Sequence, residues 1–193
     1  MGFLSVLSYT QKLIKERLQP GEAAIDATLG TGADTLFLAK TVGRKGKVFG
    51  FDIQEEALQL TKDRLSKEDP ASIADVTLLL KSHALMKEAL PLELHGKIGA
   101  VMFNLGYLPV SGANQKLITL TDSTITALES SLDVLRPRGV ITAVLYPGHK
   151  GGDQEASAVE SWAANLPQTI AQSIIYRQLQ RPNAPYLIAL EKK

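Results

Sequence analysis

Two carboxylates bracket a glycine turn in the segment Ala24-Ile-Asp-Ala-Thr-Leu-Gly-Thr-Gly-Ala-Asp-Thr35, Asp26 ahead of the glycines and Asp34 behind them. The apolar run before the turn reads as a buried strand, and the polar residues after it as a helix start. In an open α/β sheet a ligand lies beyond the carboxyl ends of the strands. Gly30-Thr-Gly32 falls at that place, where glycine lets backbone N–H groups approach a ligand without a Cβ in the way. The helix beginning near Asp34 and Thr35 adds unpaired N–H groups and a partial positive charge, suited to an anion such as a carboxylate. Thr28 and Thr31 belong to the same ligand-facing turn.

The acids discriminate between ligands. A dinucleotide site favours a third glycine that packs the helix against a pyrophosphate, and here that position is Thr35. Asp26 and Asp34 would repel a pyrophosphate and attract an ammonium. S-adenosylmethionine offers that ammonium at its methionine end, so the turn reads as a site for this cofactor, with either Asp26 or Asp34 holding the ammonium. Asp52, at the end of the second strand, is placed to accept hydrogen bonds from two ribose hydroxyls, as nicotinamide and S-adenosylmethionine sites both require. Ile53 can lie against an adenine face, Gln54 opens the next helix, and Ser82-His83 follows the third strand at an adenine-bordering turn. His83 reads equally well as a capping or surface histidine.

The reacting groups are expected at the end of the fourth strand, in Asn104-Leu-Gly-Tyr-Leu-Pro109. Asn104 points toward the cofactor's reactive group, with Leu105 and Gly106 beside it. The Asn-x-x-Tyr spacing resembles the Asn/Asp-Pro-Pro-Tyr loop of methyltransferases that act on amino nitrogens, with Leu105-Gly106 in place of the two prolines. An attacking amine must present its lone pair in line with the departing sulfur. The Asn104 side-chain oxygen and a nearby backbone carbonyl can accept the amine hydrogens and fix that direction, while Tyr107 can stack on a flat base or close the pocket. Asn104 and Tyr107 are therefore the expected catalytic pair, with no evident general base. A closed pocket would favour the neutral amine by desolvation. The run Tyr146-Pro-Gly-His-Lys-Gly-Gly-Asp-Gln-Glu155 is expected to wall the acceptor pocket through Tyr146, His149 and Gly151, and His149 suits a proton or a phosphate. Asn183, in Arg181-Pro-Asn-Ala-Pro185, is expected to reach the same rim.

These groups need a scaffold of alternating strands and helices. Strands are expected at 23–28, 47–52, 75–80, 98–104 and 139–146, and helices at 9–18, 34–42, 54–66, 83–90, 121–135 and 153–165. Continuous apolar runs such as Val76-Thr-Leu-Leu-Leu80 mark strands covered on both faces. Two further strands, 169–176 and 185–191, have no crossover helix between them and should pair antiparallel. The expected architecture is α/β and Rossmann-like: a seven-stranded, mostly parallel sheet ending in an antiparallel hairpin, the class I form of S-adenosylmethionine-dependent methyltransferases.

At 193 residues the chain suits one domain, 1–193. A net charge of +1 excludes a polycation that grips nucleic acid by bulk electrostatics. Local basic clusters remain at Lys12, Lys15 and Arg17 and at Arg44, Lys45 and Lys47. The absence of cysteine removes disulfides, iron–sulfur clusters, thiolate zinc sites and a cysteine nucleophile. With three histidines, no metal is expected. Neither a basic leader nor a long apolar run opens the chain, so a cytoplasmic location without a membrane partner is expected.

Several motifs occur together and in order: Ile25-Asp-Ala-Thr28, the glycine turn to Thr35, Gly50-Phe-Asp-Ile-Gln54, Asn104–Pro109, Tyr146–Glu155 and Asn183-Ala-Pro185. In this the chain resembles the YtqB-type rRNA methylase family, whose members are also described as the tRNA methyltransferase MnmM. The resemblance implies N-methylation of 5-aminomethyl-2-thiouridine, the wobble uridine (34) of certain tRNAs, to 5-methylaminomethyl-2-thiouridine. Ribosomal RNA or a small-molecule amine are alternative acceptors. The implied partner is the tRNA anticodon stem-loop, touched by basic residues of the first helix, and a homodimer is admitted. Two departures stand out: Thr31 replaces an asparagine expected in relatives, and Tyr186 stands where relatives often carry proline.

Overall fold

The computed structural model describes residues 2–106, 121–148 and 151–193. Tyr107 and His149, two of the expected acceptor-side residues, lie outside the described residues. The elements run α1 (Val6–Arg17), β1 (Ala23–Asp26), α2 (Ala33–Val42), β2 (Lys47–Asp52), α3 (Glu55–Leu65), β3 (Asp75–Leu80), α4 (Met86–Ala89), β4 (Ile98–Leu105), α5 (Thr121–Val134), β5 (Leu135–Leu145), α6 (Gly152–Asn165), β6 (Ala171–Tyr176) and β7 (Tyr186–Lys192). Single 3-10 turns at His83–Leu85 and Leu92–Leu94 flank α4.

The seven strands form one sheet in the order β3-β2-β1-β4-β5-β7-β6. The pairings from β3 across to β5 are parallel, and β7 lies antiparallel to both β5 and β6. This is the Rossmann-like α/β fold with a terminal antiparallel pair. Strand order reverses between β1 and β4, which opens a crevice at their carboxyl ends. Alternate strand residues supply the two layers of core. Ile25, Phe49, Val101 and Phe103 meet α4, α5 and α6 on one face, while Ala24, Val48, Ala100 and Met102 meet α1 and α2 on the other. Burial on both faces explains the continuous apolar runs of β1, β2, β4 and β5. β3 departs from the expected cover of its run Val76–Leu80: it is an edge strand with only half-buried and exposed residues.

The differences from the expected boundaries have local causes. β1 stops at Asp26 because its carboxylate accepts the Thr28 N–H at 3.1 Å and turns the chain. The expected helix at 83–90 is instead a 3-10 turn capped by Ser82, then the short α4, which ends as Leu90 becomes extended before Pro91. β5 starts at Leu135, ahead of the expected residue 139, through an irregularity against β4 at Ile98/Ala100 and a positive φ of 63° at Arg138.

α1 runs along the sheet from the ligand-bearing edge, where Tyr176 donates to the Leu4 carbonyl at 2.8 Å, to the opposite edge, where Arg17 pairs with Glu191 at 2.8 Å. Lys12 reaches Glu16 at 3.9 Å and Lys15 lies 5.6 Å from the Phe37 ring centroid. Arg17 therefore serves the fold at the edge away from the crevice, which corrects the expectation that it belongs to an RNA-facing cluster. Among the described residues no helix is long and apolar enough to cross a membrane.

Behind the crevice, the buried Thr124 hydroxyl of α5 donates to Glu155 Oε1 of α6 at 2.7 Å. Thr124→Val keeps the shape and removes the donor, so we expect a loss of about 1–3 kcal/mol in urea unfolding. An unchanged midpoint would show that this tie between α5 and α6 contributes nothing.

Candidate active site

Asp26 ends β1 with no exposed surface, and both of its oxygens are used within the protein. Oδ2 accepts the Thr35 hydroxyl at 2.6 Å and Oδ1 accepts the Thr28 N–H at 3.1 Å. The carboxylate thus ties the strand end to the first turn of α2. Burial, reinforced by the nearby charge of Asp34, pushes the Asp26 carboxyl up to about 7 against the opposing hydrogen bonds of Thr35 and Thr28.

The glycine turn lies over this tie. Gly32 has φ +74°, and a Cβ there would stand 2.8 Å from the Thr61 Cα of α3, so both conformation and space demand glycine. Arg64 of α3 donates its Nε–H to the Thr31 carbonyl at 2.7 Å. Gly30 donates its N–H to Asp52 Oδ2 at 3.2 Å, while Asp52 Oδ1 accepts the Gln54 N–H at 2.9 Å. Each Asp52 oxygen keeps a further lone pair for a ligand. Thr61 and Arg64 were not foreseen in the sequence, because nothing local marks a helix that supports a turn so far upstream.

A cavity of about 220 Å³ opens between this turn and the end of β4, walled by Thr28, Asp34, Asn104, Gly106 and Tyr146. Asn104 is anchored by its own N–H, which donates to the Thr28 hydroxyl at 2.7 Å. Its side-chain amide bonds to the Asp34 carboxylate, which counters the upward push that burial gives the Asp34 pKa. The same amide bonds to Tyr146, whose phenol is raised first by burial and then by the Asp34 charge. An ionised carboxylate only accepts, so the amide nitrogen faces Asp34. Asp34, Asn104 and Tyr146 therefore form a hydrogen-bonded chain across the cavity.

The remaining expected residues divide into three groups. Asp52, Ile53 and Gln54 gather at the mouth beside the turn, with Ile53 56% exposed and the Leu80 side chain of β3 51% exposed. Thr35 and Leu105 turn their side chains into the interior, so any contact they make with a ligand passes through the backbone. His83 is buried too: Nδ1 lies 3.0 Å from the Ala27 carbonyl and the ring stands edge-on to Phe103 at 5.7 Å. It is neither a surface histidine nor a cap; Ser82 does the capping, accepting the Ala84 N–H at 3.3 Å. Gly151 caps α6 in the left-handed region, and Asn183 is exposed beside the end of β5. Among the described residues no group of three or more histidines and acids could hold a metal ion.

The chemistry of the cavity is that of a zwitterion site. The start of α2 presents both backbone amides, which suit a carboxylate, and the Asp34 carboxylate, which suits an ammonium. Asn104 stands at the β4 end of the cavity, its side-chain amide bonded to Asp34 and Tyr146.

The sequence profile of the family described as "Putative rRNA methylase" matches residues 48–192. A tRNA (mnm(5)s(2)U34)-methyltransferase of Arabidopsis thaliana, chloroplastic, is 37% identical over 182 residues, 91% of this chain. The chain spans 65% of that relative's length. The crystal structure of a "putative rRNA-methylase" from Clostridium thermocellum superposes with a TM-score of 0.91 at 32% identity, covering 100% of both chains. A "putative methyltransferase" from Streptococcus mutans, solved in complex with SAH, superposes with a TM-score of 0.84 at 30% identity, again over 100% of both chains.

The raised Asp26 carboxyl carries a pH signature. Its folded value of about 7 exceeds the ordinary 3.8, so the native state holds a proton that the unfolded chain gives up, and stability declines as pH rises from about 4 to about 7. Asp26→Asn can keep its oxygen as acceptor for the Thr28 N–H, turns an N–H to the Thr35 hydroxyl, which can accept it, and removes the titration. In urea unfolding followed across that range, we expect a flatter pH profile for the variant. Parallel profiles would show that Asp26 is ionised throughout.

Proposed function

The chain belongs to the rRNA methylase family, and on that premise we propose that it is an S-adenosylmethionine-dependent RNA methyltransferase. The acceptor we assign is the amine of 5-aminomethyl-2-thiouridine at the wobble position of tRNA, the nucleoside to which the name of the Arabidopsis relative refers. The observation that carries the reading is the Asp34–Asn104–Tyr146 chain, which joins the helix start after the glycine turn to the ends of β4 and β5 across one cavity. When bound there, S-adenosylmethionine supplies an activated methyl group on a sulfonium.

The protein's own residues divide the remaining work. Asp34 holds the ammonium, because it lines the cavity, whereas Asp26 lies beneath it with both oxygens committed to Thr28 and Thr35. The amides of Thr31 and the first turn of α2 face the carboxylate, because the Gly30 N–H is already given to Asp52 and the Gly32 N–H to the Leu29 carbonyl at 2.8 Å. Asp52 accepts from the ribose, Ile53 and Leu80 cover the adenine, and Gln54 and Ser82 border it. Leu105 and Gly106 contribute backbone. With its amide nitrogen turned to Asp34, Asn104 keeps its oxygen free to accept an N–H of the substrate amine and to aim the nitrogen lone pair. Tyr107, Tyr146, His149, Gly151 and Asn183 wall the acceptor, and enclosure favours the neutral amine. Residues 1–193 act as a single domain on the tRNA anticodon stem-loop in the cytoplasm.

The test is mass analysis of nucleosides after incubation of the protein with S-adenosylmethionine and tRNA bearing 5-aminomethyl-2-thiouridine. The expected product is 5-methylaminomethyl-2-thiouridine. An unchanged nucleoside, with methyl transfer to ribosomal RNA or to a free amine instead, would overturn the assignment. Asn104→Ala should lower kcat about a hundredfold while affinity for S-adenosylhomocysteine changes little. Asp34→Asn should weaken that affinity by about tenfold or more. Unchanged turnover in the first variant, or unchanged affinity in the second, would remove the role assigned to that residue.

A further inference from the structure

A second recess adjoins the first through consecutive residues of one loop. Tyr146 walls the cavity described above, and Pro147 lines a groove of about 420 Å³ between α6 and the β6–β7 connection. That volume lies within the roughly 300–1,000 Å³ typical of ligand pockets. Across the groove from Pro147, the Arg177 guanidinium lies 5.5 Å from the Tyr186 ring centroid and 3.9 Å from Glu160 Oε2. Tyr186 in turn donates to Glu160 Oε2 at 3.1 Å. Tyr186 pairs with Leu145 at the ligand-bearing end of β5, so this cluster stands level with the proposed reaction centre.

The connection that carries Arg177 is docked against the loop after β5. A Cβ on Gly148 would meet the Asn183 carbonyl at 2.9 Å, so the loop after β5 and the β6–β7 connection touch through backbone. Turns from Arg181 N–H to the Gln178 carbonyl at 3.2 Å and from Ala184 N–H to the Arg181 carbonyl at 3.0 Å hold the connection's shape. Its sequence, Arg177-Gln-Leu-Gln-Arg-Pro-Asn-Ala-Pro185, contains two arginines and no acid. Arg181 is exposed and has no ion-pair partner among the described residues. Leu179 is 81% exposed beside it.

The geometry points to a docking site for the nucleotide next to the methyl-accepting one in the RNA: its base enters the groove against the Arg177 guanidinium and its phosphate meets Arg181. This rests on the RNA methyltransferase reading. The charges decide which part of the nucleotide goes where. Asp153 and Glu160 also line the groove and would repel a phosphate, but they accept N–H groups from a base edge. Arg177, held over Tyr186 and tethered by Glu160, presents a planar cation, the surface on which unstacked RNA bases lie. Arg181 lies outside that acidic wall and is free to pair with a phosphate. The recess therefore separates base from backbone, as recognition of a splayed single strand requires.

The test is fluorescence-anisotropy binding of an anticodon stem-loop RNA over a range of salt, with melting temperature as the check on folding. Arg177→Lys retains the charge and loses the plane, so affinity should fall about three- to tenfold with the salt slope unchanged. Arg181→Gln should lower the log–log salt slope by about 0.7, the share of one phosphate contact on a single strand. Lys45→Gln, at the opposite sheet edge, serves as the control and should bind as the wild type does. If both arginine variants bind with wild-type affinity and slope while the wild type methylates RNA, the docking site is wrong and the proposed function stands. If the wild type binds and methylates no RNA, both fall. Capture of an acidic peptide in the groove in place of RNA would likewise overturn the assignment.

Discussion

Asp26 accepts hydrogen bonds from Thr28 and Thr35 while fully buried, and this carboxylate governs how β1 hands over to α2. Because one oxygen takes the Thr28 N–H, the strand ends early and the chain can turn. Because the other takes the Thr35 hydroxyl, the first turn of α2 is fixed over the strand end. The helix-start amides, the glycine turn and Asp34 all inherit their positions from that tie. Its cost is a desolvated acid near a second acid, and the raised Asp26 carboxyl expresses it. Sites that bind charged ligands often store strain of this kind.

From that anchor the site extends in two directions. Toward β2, the turn is braced by Gly30 on Asp52 and by Arg64 on the Thr31 carbonyl. Toward β4, Thr28 accepts the Asn104 N–H, so the residue that forms half of the Asp26 turn also positions the proposed catalytic asparagine. Donor side and acceptor side are therefore coupled through Thr28 rather than assembled independently. On the proposed reading, the same Asn104 amide that satisfies Asp34 leaves its oxygen directed at the incoming amine.

Much of this was legible in the residues. The continuous apolar runs gave the doubly covered central strands but overstated the cover of the edge strand β3, the missing crossover helix gave the antiparallel pair, and the acids around Gly30-Thr-Gly32 located the crevice. What could not be read was which acid faces it. Asp26 and Asp34 are chemically alike in the sequence, and only burial separates the one that ties the backbone from the one that lines the cavity. His83 misled for a related reason, since a histidine after a strand looks available until Phe103 and the Ala27 carbonyl are seen to enclose it. Thr61, Arg64 and the Arg177–Tyr186–Glu160 cluster arise from contacts between distant segments, for which periodicity and local motifs carry no signal. Boundaries slipped where side chains competed for backbone groups, at Asp26 and Ser82.

The central claim is that one zwitterion site, with Asp34 and not Asp26 as its ammonium partner, delivers a methyl donor to Asn104. A crystal structure of this protein with S-adenosylhomocysteine tests it directly. The account predicts the ligand's amino group within hydrogen-bonding distance of the Asp34 carboxylate, its carboxylate on the amides of Thr31 and the first turn of α2, and its sulfur turned toward Asn104. A ligand whose amino group lies on another acid, or whose sulfur faces away from β4, would contradict it.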